Sequence, residues 1–155
     1  TLDGIEQYSV SCANLTDKVA VCKDLLNDFH KAQTIIFCAS CEMVKELDRQ
    51  LNSDKTVILF GSMEQVDRFA SIRDFRDMRK TILITTDLCS RGIDVQGVSL
   101  VINFDLCKCI DSYIHRIGRS GRFGRKGMGI TLILPGDEEK ISEIECYYST
   151  EIKSL

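Results

Sequence analysis

Proline occurs once in the 155 residues, and no stretch rich in proline, glycine and serine interrupts them, so no linker marks a point where two domains would part. Residues 1–155 are therefore expected to form a single domain, within the usual ~100–200 residues. No apolar run approaches the ~18 residues of a membrane span, and Thr1 opens without the basic-then-apolar pattern of a secretory signal. Internal repeats are missing as well. Charge of one sign is not in excess: the net charge is −3, which argues against a body that traps nucleic acid by bulk electrostatics. What is present is an ordinary globular balance, 44% apolar and 28% charged. These features lead us to expect a soluble intracellular domain of the cytoplasm, nucleus or nucleolus, with no membrane association and a monomeric state. The start at Thr1, without a Met, reads as a piece of something longer.

The chain carries eight cysteines. With a full-sized core and no signal segment, they fit reduced thiols better than a disulfide framework. Cys38 and Cys41 have C-x-x-C spacing, and Cys107 and Cys109 form a second close pair. A zinc site from the two pairs is set aside, because the second spacing is atypical and Cys38 ends an apolar run. No metal ligand is assigned.

Short β-rich runs recur at 5–12, 34–38, 55–60, 81–86, 98–104 and 128–134. Several are continuously apolar, the pattern of strands buried on both faces of a parallel sheet. Helical patterns lie between them. Leu15 to Lys31 places Val19, Cys22, Leu25, Leu26 and Phe29 on one face, and Ser40 to Leu51 does the same with Met43, Val44, Leu47 and Leu51. Ser62 and Gln65 have capping-box spacing ahead of a stripe of Val66, Phe69, Ala70 and Phe75. Asp111 is placed as the cap of a short helix through Ile117, and Asp137 to Tyr148 as a closing helix after Pro135-Gly136. Such alternation gives an α/β fold, an open and mostly parallel sheet with helices on both faces, whose ligands gather at the carboxyl ends of the strands.

Two loops at those ends are chemically dense. His115-Arg-Ile-Gly-Arg-Ser-Gly-Arg-Phe-Gly-Arg125 sets an arginine at every third position with glycines between, and no acid falls among them. Guanidiniums on such a loop suit phosphate, and can neutralise charge that develops during phosphoryl transfer. Thr85-Thr-Asp-Leu-Cys-Ser-Arg-Gly-Ile-Asp94 carries hydroxyls, carboxylates, an arginine and a glycine directly after a buried strand. In it Asp87 could orient Arg91 and Asp94 could accept from ribose hydroxyls, or both could be turn and capping groups.

Ile35-Ile-Phe-Cys, Ile84-Thr-Thr-Asp-Leu-Cys-Ser-Arg-Gly-Ile-Asp94 and His115-Arg-Ile-Gly-Arg-Ser-Gly-Arg122 resemble motifs IV, V and VI of the DEAD-box RNA helicases, in order and in spacing. Val98-Ser-Leu-Val-Ile-Asn-Phe-Asp105, Gly124-Arg-Lys-Gly127 and Tyr147-Tyr-Ser-Thr-Glu-Ile152 look closest to the translation initiation factor 4A subgroup. That family has two RecA-like domains that close on ATP and single-stranded RNA, and this chain resembles the second. Neither a G-x-x-x-x-G-K-[ST] loop nor an Asp-Glu-Ala-Asp string occurs in it. The resemblance therefore implies a half-site, inactive alone, that completes ATP hydrolysis when docked on an N-terminal domain absent from this chain.

By the same resemblance Arg119 and Arg122 match the arginine fingers that reach the γ-phosphate. Asp94 matches the ribose-contacting acid, and Gly92 lets the backbone approach the nucleotide. His115 and Arg116 match residues that couple the nucleotide cleft to the RNA side and to the first domain; Ser40, Gly61, Arg68 and Thr86 match contacts to RNA phosphates. ATP would come with Mg2+ bound mainly by the missing domain. The implied partners are single-stranded RNA or a short duplex, the N-terminal RecA-like domain, and a helical-repeat scaffold protein. Ala39 stands where the family usually has Asn, Phe60 where it has His, Ser62 where it has Asp, and Cys107 where it has Pro; the amide missing at Ala39 removes a polar group near the RNA path, so weaker RNA binding than is typical is expected. The rival reading is a non-catalytic RecA-like module that binds RNA or a helical-repeat protein.

Overall fold

A computed structural model describes residues 2–87, 95, 97–121 and 126–155. The elements follow in the order β1 (Ile5–Ser11), α1 (Leu15–Asp28), β2 (Thr34–Phe37), α2 (Cys41–Leu51), β3 (Thr56–Ile58), α3 (Gln65–Arg76), β4 (Ile82–Thr85), β5 (Leu100–Asn103), α4 (Ile110–Ile117), β6 (Gly127–Ile133), α5 (Glu138–Tyr148) and β7 (Lys153–Ser154). The strands form one sheet in the order β3-β4-β2-β5-β6-β1-β7, and every pairing between them is parallel.

The apolar runs make the central strands because each residue finds cover on one side or the other. Ile35, Phe37, Leu83, Val101 and Ile133 pack with Phe75, Tyr113, Ile117, Ile141 and Ile144 of α3, α4 and α5. Their neighbours Ile36, Ile84, Ile102, Ile130 and Leu132 point the other way, onto Cys22, Leu25, Val44 and Leu47 of α1 and α2. The expected α/β sandwich is thus present, with helices on both faces.

Local chemistry fixes the helix starts. Asn14 accepts from Asp17 N at 2.9 Å while the Asp17 carboxylate accepts from Ala13 N at 2.8 Å, which satisfies donors at both sides of the α1 start. Ser40 caps α2 with a single bond, accepting from Met43 N at 3.2 Å. The seat of α4 depends on glycines in β6. A Cβ on Gly127 would lie 2.6 Å from the backbone carbon of Ser120, and one on Gly129 would lie 2.8 Å from Ile117 Cγ2. Tyr113 completes the seat by donating its hydroxyl to Gln7 Oε1 at 2.6 Å.

Some expectations are corrected. The Ser62–Gln65 capping box does not form: Glu64 is the N-cap of α3 and makes no side-chain cap bond. The stripe on α3 is largely unburied, with Val66 73% and Phe69 65% exposed and only Phe75 fully covered. The cause is position, since α3 flanks the β3 edge, where only its C-terminal half finds sheet to cover. Asp111 lies inside the first turn of α4, after the N-cap Cys109, and accepts from the Tyr147 hydroxyl at 3.1 Å. β7 is too short to show any periodicity, yet it pairs with Tyr8 and Ser9 of β1. Cys38 packs on the α1/α2 face and Cys107 on the opposite face, so the two cysteine pairs do not share a metal. Among the described residues no helix is long and apolar enough to cross a membrane.

Candidate functional site

Because the strands are all parallel, their carboxyl ends share one rim, and the loops after β3, β4, β2 and β5 emerge there as neighbours. Arg116, on α4, reaches across this rim. Its Nε and Nη2 donate to the two oxygens of Asp87 at 2.6 and 2.8 Å, and its Nη1 donates to the Asp105 carbonyl at 2.6 Å and to Asn103 Oδ1 at 3.3 Å. The Asn103 amide is itself oriented by donating to Thr131 Oγ1 at 3.0 Å. Beneath the guanidinium lies the Phe37 ring, 5.2 Å from centroid to Cζ. Arg116 is 2% exposed. A buried charge with so complete a set of partners is a clamp between the ends of β4 and β5, built on the bidentate geometry only arginine offers.

A second ion pair lies on the other side of Asp105. Lys18 Nζ, on α1, is 2.8 Å from Asp105 Oδ1 and 4.5 Å from the centroid of the Phe104 ring. The remaining oxygen, Asp105 Oδ2, accepts from Ala39 N at 2.8 Å. Asp105 therefore joins α1, the loop after β2 and, through its carbonyl, α4. Burial pushes the neighbouring Cys38 thiol far above the ordinary thiol range, and the Asp105 charge adds to that effect. Cys38 is a protonated core thiol with no nucleophilic character.

Of the residues singled out in the sequence, Thr85, Thr86 and Ser40 lie beside this frame. Thr85 is buried and donates to the Leu59 carbonyl at 3.0 Å, which holds the loop after β3 beside that after β4. Thr86 is 8% exposed, next to Asp87. Ser40 is half-buried at the start of α2, and Gly61 is exposed with open space where a Cβ would stand. Arg68 is half-buried on α3 and has no ion pair among the described residues. His115 is exposed on α4. Arg119 donates to the Val95 carbonyl at 3.3 Å. Around it Val98 N donates to Arg119 O, and Gly121 N to Val98 O, both at 3.1 Å, so this turn lies beside the amino end of β5 and not at the carboxyl ends where the sequence placed it, because α4 runs back along the sheet before the turn. Gly121 has φ 74, a left-handed conformation that suits glycine. Gly92, Asp94 and Arg122, with Arg91, lie outside the described residues. Asp87 has Arg116 on both its oxygens, and the suggestion that it also orients Arg91 falls outside the described residues.

Lys18, Asn103 and Asp105 were not singled out from the sequence. A signal existed for two of them. Lys18 falls on the same helical face as Cys22 and Leu25, where a charge needs a partner, and Asp105 follows directly on an apolar strand.

The model of the helicase conserved C-terminal domain family matches residues 17–124. Eukaryotic initiation factor 4A of Caenorhabditis elegans is 42% identical over 157 aligned residues, which cover 100% of this chain and 39% of that protein. The ATP-dependent RNA helicase FAL1 of Candida albicans is 45% identical, again over 100% of this chain and 39% of its own length. The chain thus spans about two fifths of the curated relatives it matches. Among solved structures, the C-terminal domain of the DEAD-box protein Dbp5 superposes with a TM-score of 0.90 at 36% identity, covering 100% of this chain and 92% of that one. Saccharomyces cerevisiae Dbp5 bound to RNA and ADP BeF3 gives 0.90 at 36% identity, over 99% of this chain and 42% of that one.

Proposed function

Because the chain belongs to the helicase conserved C-terminal domain family, in its DEAD-box branch, we propose that it forms the second half of an ATP-dependent RNA helicase, one that supplies arginine fingers and part of the RNA surface. The observation that carries this reading is the Arg116 clamp, which ties α4, the helix that bears His115 and leads into Arg119, to Asp87 beside Thr86 and to the Asp105 carbonyl on the rim where Ser40 and Gly61 lie.

In this reading an N-terminal RecA-like domain holds ATP, and Arg119 and Arg122 approach the γ-phosphate from across the cleft. A guanidinium placed there neutralises the charge that builds on the transferring phosphoryl group. Asp94 accepts from the ribose, and Gly92 keeps the backbone close to it. Magnesium arrives with the nucleotide and is held mainly by the other domain. Among the described residues no group of three or more His, Cys, Asp and Glu comes together that would hold a metal by itself.

RNA meets Ser40, Gly61, Arg68 and Thr86 through its phosphates. Arg68 has no described carboxylate competing for it, and the open space beside Gly61 leaves its backbone accessible to a strand. Contacts of this kind position a strand and leave base edges unread, so sequence preference is small. Domain closure then bends one strand of a short duplex, and hydrolysis reopens the clamp. A protein partner for this domain also fits: Dbp5 has been solved with Gle1, and SrmB with the regulator of ribonuclease activity A. For this chain the matching proposal is a helical-repeat scaffold that holds the two domains in register.

The test is RNA-stimulated ATP hydrolysis and duplex separation by the full-length protein. Turnover that requires both RNA and this domain supports the helicase. A full-length protein that binds RNA and never turns over ATP supports the non-catalytic module.

A further inference from the structure

Lys18 is 4% exposed, and a buried ammonium is costly unless its partners replace the water it has lost. Here the partners are the Asp105 carboxylate at 2.8 Å and the Phe104 ring. That carboxylate is more than a counter-ion. Its other oxygen accepts from Ala39 N at 2.8 Å, and the same residue's carbonyl accepts from Arg116 at 2.6 Å. Ala39 is exposed, and Ser40 beside it caps α2.

Asp105 thus touches both the loop after β2 and the Arg116 clamp. An ionised carboxylate holds a backbone N–H more firmly than a neutral group does, and here Lys18 fixes which oxygen faces which donor. We infer that Asp105, oriented by Lys18, is a positioning residue that sets the Ala39–Ser40 backbone for an RNA phosphate and links its occupancy to Arg116 and Asp87. The inference rests on the reading that Ser40 lies on the RNA path. Loss of the lysine charge frees the carboxylate to turn, so the RNA-side loop loses its fixed position while the bidentate Arg116–Asp87 pair stays in place.

The experiment compares the full-length protein with its Lys18→Met variant, which keeps the length of the buried stem. It measures RNA-independent ATP hydrolysis, KM for ATP, the RNA concentration giving half-maximal stimulation, and melting temperature. We expect the half-stimulating RNA concentration to rise about fivefold or more, a typical coupling between sites, while RNA-independent hydrolysis and KM for ATP stay within about twofold. Lys18→Arg, which keeps the charge, should recover most of the RNA response. An unchanged RNA response overturns the inference, and so does a proportional fall in every parameter that tracks loss of folded protein. If Lys18→Met does not fold, Asp105→Asn, which retains the carbonyl bonded to Arg116, carries the same test with the same outcomes. A wild type that RNA does not stimulate would instead overturn the helicase reading itself.

Discussion

Arg116 and Asp87 meet in a two-point ion pair, Nε to Oδ1 at 2.6 Å and Nη2 to Oδ2 at 2.8 Å, that ties α4 to the end of β4. The arginine side chain is 3% exposed and the aspartate 31%. Asp87→Ala should therefore destabilise the domain by about 3 kcal/mol, the low end for breaking a buried pair, because the carboxylate is partly solvated. Arg116→Lys should recover little, since an ammonium cannot span both oxygens and the Asp105 carbonyl. Urea unfolding of the variants checks both statements.

The seat of α4 makes a second prediction. Gly127→Ala drives a Cβ into the Ser120 and Gly121 backbone, whereas at Gly129 the nearest atoms belong to the Ile117 side chain and no backbone atom stands in the way. Gly127→Ala should cost about 2–3 kcal/mol and Gly129→Ala about 1 kcal/mol. Equal costs, read from denaturant midpoints, would contradict this account of the contact.

Stability should be flat through neutral pH and fall in alkali. Burial raises the Cys22 thiol from 9.0 to about 12, and burial raises the Tyr113 hydroxyl above its usual 10.0. Unfolded chains ionise these groups at their ordinary values while the folded protein keeps them protonated, so the stabilisation is complete below pH 9.0 and is lost as pH rises toward 12. The loss approaches about 1.4 kcal/mol per pH unit for each fully responding group. Melting temperature followed against pH should decline more gently in Cys22→Ala.

Much of this architecture was legible in the sequence. Continuous apolar runs such as Thr34–Phe37 and Leu100–Asn103 read as doubly buried strands because they are. The α3 stripe misled because periodicity reports which residues could share a face, and says nothing of whether a sheet lies opposite; Val66 and Phe69 are exposed. In the site, local spacing suggested Asp87 for the nearby Arg91, which lies outside the described residues, and gave no sign of its bond to Arg116, 29 residues away. Asp105 and Lys18 are 87 residues apart and meet only through the order of the strands. A long-range pair of this kind leaves no spacing to read.

Ala39 offers a gain-of-function test. It is exposed, and its N–H is already held by Asp105, so an Asn side chain can be added without disturbing the loop. In the full-length protein Ala39→Asn should tighten ATP-dependent RNA binding about threefold to tenfold, the effect of one added hydrogen bond of ~1 kcal/mol. Fluorescence anisotropy with a short labelled RNA would read the change.

The proposal that this domain supplies arginine fingers to ATP bound elsewhere is tested most directly by RNA-stimulated ATP hydrolysis in the full-length protein carrying Arg122→Ala. The account predicts a loss of about 10²–10³ or more in kcat with ATP affinity little changed, the signature of a donor that acts mainly in the transition state. A variant that hydrolyses ATP at the wild-type rate would contradict it.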